Sequence, residues 1–171
     1  MTQGDIMNQR FIGTKIILAL AMTRLAYNKY RGWALPSDEN GADDGYLVEY
    51  TDGGEPNHPG HAGYISWSPK EQFDNAYRPA SGMSFGLAIE ALKQGKRVAR
   101  AGWNGKGMWL VLDPGSVVSE VREGSAYHKA GVTGSFTINP HIDMRTATGE
   151  MQPGWLASQT DMLADDWQLV E

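Results

Sequence analysis

The stretch Ser84 to Leu112 constrains the chain most, because it holds a capped helix, a basic strand, a glycine-rich turn and an apolar strand with almost no residue between them. Ser84 suits an N-cap, since its hydroxyl can accept from the free N–H groups of a first helical turn. Phe85, Ala88, Ile89 and Leu92 follow at i, i+3, i+4 and i+7, which puts one apolar stripe on a helix. Gly95 can take the left-handed conformation that ends a helix, and Lys93 and Lys96 fall near the negative end of its dipole. In the strand that follows, Val98 and Arg100 share one face and Arg97 and Ala99 the other. Gly102-Trp103-Asn104-Gly105-Lys106-Gly107 then turns the chain into Met108 to Leu112, an uncharged strand.

The turn is the place to expect function. Its three glycines leave backbone N–H groups open to close approach, and Asn104-Gly105 suits the positive φ angles of a tight hairpin. Phosphate oxygens bind such backbone donors with a lysine nearby as a point charge, here Lys106. Trp103 offers a flat π surface on which a nucleobase can stack. No acid lies between Glu90 and Asp113, whereas Lys93, Lys96, Arg97, Arg100 and Lys106 are all basic. The same residues also suit an ordinary hairpin, with Trp103 covering the core and the lysines solvated.

Composition removes several classes of function. With 171 residues, 41% hydrophobic and 20% charged, the chain fits a globular protein with room for one or two small domains. A net charge of −5 argues against broad coating of DNA or RNA. The absence of cysteine excludes disulfides and thiolate metal sites and fits a reducing cytoplasm. The longest apolar run, Ile16 to Met22, is too short to span a bilayer and lacks the flanks of a signal peptide, so no membrane association is expected.

Hydrolysis of a nucleotide would need a general base, usually with a metal or a tuned acid–base pair. His128 and His141 read as isolated, no serine sits in a G-x-S-x-G elbow, and Gly102 to Gly107 lacks the spacing of a phosphate-binding loop. Binding without chemistry, and without cofactor or metal, is the expectation.

Along the first half, residues 1–9 are polar and expected to fray, and Arg10 to Met22 reads as a buried strand, although Leu-Ala-Leu-Ala suits a helix equally. Thr23 caps a short helix through Tyr30 that ends at Gly32. Leu35 to Gly45 is a loop whose four carboxylates lack the spacing of a calcium loop. Tyr46 to Tyr50 alternates as a strand, Asp52-Gly53-Gly54 turns it, and Tyr64 to Trp67 returns. His58 and His61 would need Asp52 and Glu55 to make a metal site. Ser68 then reads as an N-cap, with Pro69 opening a helix to Tyr77. Arg78 to Gly82 is a natural boundary, giving an N-terminal module over 1–80 and a second domain over 81–171.

In the second domain, Asp113-Pro114-Gly115 starts a loop and a short helix falls near Ser125 to Ala130. Strands are expected at Phe136 to Ile138, Ile142 to Thr146 and Trp167 to Val170, with a turn at Thr148-Gly149. Ser158 and Asp161 have capping-box spacing at the start of a short helix. The expected fold class is α+β, with small antiparallel sheets and short helices.

Met83 to Val170 resembles the second Thoeris anti-defence family of bacteriophages. The likeness rests on Ser84-Phe85-Gly86, on Leu92 to Val98, and on Gly102-Trp103-Asn104-Gly105-Lys106-Gly107-Met108. It continues through Pro140 to Thr146, Gly149, Pro153, Trp155, Ser158-Gln159, Asp161 to Ala164 and Asp166-Trp167, in the family's order. The first half resembles an N-terminal module found in some longer phage relatives, through Tyr30 to Trp33, Gly45 to Tyr50 and Ile65 to Lys70, and no activity is implied for it.

The resemblance implies a sponge in the cytoplasm of the infected host, one that captures a cyclic ADP-ribose-type alarm signal without degrading it. Glycocyclic ADP-ribose of Thoeris systems is the implied ligand. The resemblance also implies cyclic trinucleotides of CBASS systems in a separate site, whose three phosphates the basic strand Lys96 to Arg100 would favour. Such a sponge needs a Kd of about 10 nM, or about −11 kcal/mol. One exposed hairpin cannot supply this, and the family solution is a homotetramer enclosing ligand between protomers. By the same resemblance, Phe85 and Trp103 would hold the purine, and Asn104 and Gly105 would bond phosphate or ribose, with Lys106 adding charge. Arg145 and Thr146 would approach from a second element, and Ser158, Gln159 and Asp161 would complete a polar wall. Core packing for Phe85 and helix capping for Ser158 and Asp161 are the competing roles. A module that inhibits a host immune enzyme by direct contact, and a cyclic-nucleotide hydrolase, are the alternatives.

Overall fold

The computed structural model describes residues 13–170 and is mixed α+β, with small antiparallel sheets and short helices. Residues 1–9 and the start of the strand expected from Arg10 lie outside the described residues. The chain divides into two compact units, one closing at Arg78 and the next opening at Pro79. No helix among the described residues is long and apolar enough to cross a membrane.

In the first unit, β1 (Leu18–Ala21), β2 (Gly45–Tyr50) and β3 (Tyr64–Pro69) form an antiparallel sheet in that order. The strand expected over Arg10 to Met22 is shorter than the apolar pattern suggests, and it is exposed rather than buried. Among the described residues it pairs only with β2, as an edge strand, and Leu18 and Leu20 both remain open to solvent. Helix α1 (Arg24–Arg31) is capped by Thr23, whose hydroxyl accepts from Ala26 N–H at 3.3 Å, and ends at Gly32 with φ 70°. Helix α2 (Lys70–Ala76) starts later than the Ser68-Pro69 signal suggests. Pairing of Tyr46 with Ser68 and of Gly45 with Pro69 keeps Ser68 and Pro69 in β3, and Lys70 N–H donates to the Asp44 carbonyl at 3.0 Å.

Tyr27, Leu47 and Ile65 form the small core of this unit, with Met22 and Trp67 packed against it. The open side of β3 is partly closed by the Asn57 side chain, which bonds both backbone groups of Ile65, at 2.8 and 2.9 Å. His58 and His61 do not meet Asp52 and Glu55. His61 Nδ1 contacts the buried Glu49 carboxylate at 2.7 Å, His61 Nε2 meets the Tyr30 hydroxyl at 3.0 Å, and His58 stacks on Tyr30. Glu49 also accepts from Ala62 and Gly63 N–H, both at 2.9 Å, so the carboxylate anchors the loop before β3. Asp52 is paired with Lys15.

The second unit holds α3 (Phe85–Lys93), β4 (Arg97–Arg100), β5 (Trp109–Asp113), β6 (Ser116–Val118), α4 (Ala126–Lys129), β7 (Phe136–Ile138), β8 (His141–Arg145), β9 (Met151–Gln152), α5 (Gln159–Met162) and β10 (Trp167–Val170). Its main sheet runs β10-β4-β5-β8-β9, every pair antiparallel, while β6 and β7 make a separate two-stranded ribbon. Ser84 caps α3, and Gly95 takes φ 76° beyond its end. There Gly95 N–H donates to the Leu92 carbonyl at 2.9 Å and Lys96 N–H to the Ala91 carbonyl at 3.0 Å, closing the last turn. The helix lies against β4, β5 and β10. Its Ala88, Ala91 and Leu92 meet Val98, Leu110, Met83 and Trp167 in the core, with Phe85 and Ile89 at the margin.

Trp167 is the largest fully buried side chain, and its indole N–H is satisfied by the Asp161 carbonyl at 3.0 Å. A bridge between Met83 and Trp167, with backbone bonds of 2.8 and 3.1 Å, joins the entry of the unit to its last strand. Burying an aromatic side chain of this size contributes about 4–6 kcal/mol. Trp167→Ala is therefore expected to lower the unfolding free energy of the second unit by about 3–5 kcal/mol, read from the urea midpoint at constant m. A loss under about 1 kcal/mol would show that the core does not depend on this ring.

Candidate functional site

Four aromatic rings meet beside the glycine-rich turn. Phe85 and Trp103 each pack on both Trp155 and Trp167, with centroid separations of 5.5–6.5 Å. Trp155 and Trp167 also meet edge to face at 6.2 Å. Phe85 and Trp103, the two rings expected to hold a purine, thus reach each other through two further tryptophans. Trp103 is half-buried, and its indole N–H donates to Asp161 Oδ1 at 3.1 Å. The core role weighed for both rings is therefore real, since Phe85 and Trp103 are each half-buried against the core.

Asp161 is the meeting point of the polar groups. Its Oδ1 accepts from Arg100 Nη1 at 2.9 Å and from Trp103, and its Oδ2 accepts from the Ser158 N–H at 3.1 Å and hydroxyl at 2.7 Å. Asp161 N–H returns a bond to the Ser158 hydroxyl at 3.1 Å, which completes a capping box on α5. Burial works to raise its pKa, but Ser158, Arg100 and Trp103 together hold it at about 2. A carboxylate with every lone pair engaged is a structural anion rather than an open ligand group. Gln159, the next residue, is exposed.

Arg100 carries the second half of this network. Its Nε donates to Asp166 Oδ1 at 2.8 Å while Nη1 reaches Asp161, and the side chain is only 12% exposed. Asp166, and then Asp161, raise the pKa of Arg100 further. Asp166 is held low first by Arg100, against burial, and then by the Gly102 N–H, which donates to its Oδ2 at 2.7 Å. Two expectations are corrected here. The charge of Arg100 is engaged internally rather than offered to phosphate, and Gly102 N–H is taken by the protein's own carboxylate. Among the other cations of the stretch, Lys93 pairs with Glu90 and Arg97 lies over the Trp109 ring at 5.2 Å. Lys96 and Lys106 are exposed.

The turn itself is shaped differently from an Asn-Gly hairpin. Neither Asn104 nor Gly105 takes a positive φ, and the left-handed residue is Gly107 at 72°. Gly105 is needed for space: a Cβ there would run into Met108 Sδ and come within 2.9 Å of the Ala147 Cβ. This contact brings the turn against the end of β8. Arg145, from that strand, donates from Nη1 to the Gly107 carbonyl at 3.0 Å and so braces the turn from behind. Thr146 faces the following turn instead, donating to Glu150 Oε2 at 2.7 Å. The Thr148 hydroxyl, then the Thr146 hydroxyl and its own backbone N–H, hold Glu150 at about 2.

The structure thus gathers Phe85, Trp103, Arg145, Ser158 and Asp161 around the turn, mostly as its supports. Asn104 and Lys106 are left exposed on top of it. Sequence reasoning missed Arg100, Trp155 and Asp166 as the groups that hold the site together. The absence of any acid between Glu90 and Asp113 was their available signal, since a half-buried arginine there must find its anion elsewhere in the chain.

Comparison with known proteins agrees with the extent of this unit. Residues 83–170 match the family model of the Thoeris anti-defense 2-like domain. The chain is also 42% identical over 90 residues to Thoeris anti-defense 2 of Bacillus phage SP01, covering 52% of this chain and 94% of that relative.

Both Asp161 and Asp166 have folded pKa values below the usual carboxylate value near 4, so the stability they contribute is present above about pH 4 and is lost as pH falls toward about 2. Urea midpoints followed by tryptophan fluorescence should drop through this window, and Asp161→Asn should flatten the dependence. Arg100→Gln, which takes the cation from two carboxylates that keep their other donors, should cost about 1.5–3 kcal/mol at pH 7. Unchanged acid sensitivity in Asp161→Asn would remove Asp161 from this role.

Proposed function

Because the chain belongs to the Thoeris anti-defence 2-like family, we propose that it is a phage anti-defence protein that sequesters a cyclic nucleotide immune signal intact in the cytoplasm of the infected host. The observation that carries this reading is the braced turn Gly102 to Gly107. Asp166 fixes its start, Arg145 its end, and the Gly105 contact its middle, while Asn104 and Lys106 point no bond into the core. A loop held this way loses little freedom when a ligand arrives, so more of the contact energy survives as affinity.

Glycocyclic ADP-ribose is the proposed ligand, with cyclic trinucleotides as a second class. Lys106 supplies the charge for phosphate, Asn104 the donors and acceptor for ribose or phosphate, and the outward part of Trp103 an apolar surface for the base. Hydrolysis is disfavoured at Asp161, the carboxylate nearest Trp103, because four donors fill it and its pKa of about 2 makes it a weak base. Leu156, Met162 and Leu163 are exposed beside the capping box of α5. A second protomer covering them would enclose the ligand, and a homotetramer is the assembly we propose.

Incubating the protein with glycocyclic ADP-ribose, denaturing it by heat and analysing the supernatant should recover the ligand unchanged. A linear product would make the protein an enzyme, and capture of a host immune protein without any nucleotide binding would make it a direct inhibitor. Lys106→Ala and Asn104→Ala should each weaken binding about tenfold or more at an unchanged melting temperature, since both residues are exposed. Trp103→Ala should lose both binding and stability, because the ring also packs on Trp155 and Trp167.

A further inference from the structure

The β6–β7 ribbon leaves the main sheet through a narrow neck, where β5 ends at Asp113 and β8 begins at His141. These two residues are directly opposite in the antiparallel register, and Asp143 lies two residues further along the same face of β8. One oxygen from each aspartate and one imidazole nitrogen fall within 4.8 Å of one another.

His141 and Asp143 form an ion pair when the ring is protonated, and two further details concern the neutral ring. His141 Nδ1 meets the Asn139 carbonyl at 2.9 Å, so the neutral ring carries its proton there and turns the Nε2 lone pair inward. That nitrogen stands 3.4 Å from Asp143 Oδ1, and the contact is not a hydrogen bond. Asp143 Oδ1 is closed to solvent and has no hydrogen-bond partner among the described residues, in a side chain that is only 14% exposed. Beside a neutral imidazole, a buried carboxylate oxygen without a hydrogen bond is costly. Two lone pairs facing each other at this separation match one edge of a tetrahedron whose metal–ligand bonds are about 2.0–2.1 Å. The Asn139 carbonyl supplies the outer-shell bond that orients metal-binding imidazoles.

We propose that Asp113, His141 and Asp143 bind a divalent transition-metal ion, best matched by zinc, which fastens the two feet of the ribbon. One imidazole and two carboxylates make a donor set suited to zinc, and water completes the fourth position. The neck is already rigid without the ion. Gly115 has φ 76°, and a Cβ there would strike the Ile138 carbonyl and lie 2.9 Å from the Asn139 carbonyl carbon. Asp113 is steadied by the Gly115 N–H, which donates to its Oδ1 at 2.7 Å.

The test is a titration of the chelator-stripped full chain with zinc by calorimetry, and with cobalt(II) by visible absorption. The expected result is a single tight ion per chain, cobalt bands of a four-coordinate nitrogen and oxygen site, and a higher melting temperature with zinc. Asp143→Asn and His141→Gln should weaken zinc by at least about tenfold. If either variant fails to fold by circular dichroism, Asp113→Asn, at the half-exposed ligand, carries the same expectation. Absence of zinc uptake by the unsubstituted chain would overturn the proposal. Uptake that persists undiminished in the folded variants would also overturn it and move the ion elsewhere, His58 and His61 being the next histidines to examine. Neither result bears on nucleotide binding at the Gly102 to Gly107 turn, which is measured separately.

Discussion

Arg100 holds together three parts of the second unit that the chain order keeps far apart. It sits at the end of β4, reaches Asp161 in the first turn of α5, and grips Asp166 just before β10. Asp166 passes the constraint on to Gly102, and Asp161 passes it to Trp103. The entry of the glycine-rich turn is therefore fixed by one cation and two carboxylates. A nearly buried guanidinium with a single carboxylate would leave donors unmet. With two carboxylates the fork is used on both sides, and each acid is in turn satisfied by backbone or side-chain N–H and O–H groups.

That network explains why the site is a surface on a rigid support. The rings of Phe85, Trp103, Trp155 and Trp167 lie beneath the turn and belong largely to the core, so they set its height and tilt. Arg145 fixes the far end through the Gly107 carbonyl. Residues that bind ligand and residues that hold the binder in place are thus separate here. On the proposed function Asn104 and Lys106, exposed on the turn, fall to the first group, and Arg100, Asp161 and Asp166 to the second.

The parts of this arrangement that were legible in the sequence are the local ones. Caps at Thr23, Ser84 and Ser158 and the stop at Gly95 involve partners within a few residues, so spacing alone reveals them. The apolar stripe of α3 and the strands at Tyr46, Trp109 and Trp167 follow from periodicity in the same way. Long-range charge pairing was not legible. Arg100 and Asp166 are 66 residues apart, and the lack of nearby acids says only that a partner for Arg100 is distant, not which one it is. The Asn104-Gly105 pair shows the same limit, since the dipeptide signals a hairpin turn while the real demand is for space beside Met108 and Ala147. In β1, Leu-Ala-Leu-Ala looked like core, but apolar character does not tell an edge strand from a central one.

The same reasoning accounts for the histidines. His58 and His61, close in sequence, looked like the better ligand pair, yet the fold gives His61 to Glu49 and lays His58 on Tyr30. His141 read as isolated because its neighbour Asp113 is 28 residues earlier and arrives only through the β5–β8 register. Sheet register turns distant residues into direct neighbours at about 5 Å, and it does so at the strand ends, where a ribbon leaves and polar side chains are tolerated. Motif spacing shows His141 and Asp143, two residues apart, but not Asp113, which only the register brings to them. The cluster becomes visible once Asp113 is paired with His141 and an unpartnered oxygen of Asp143 is found on the same face.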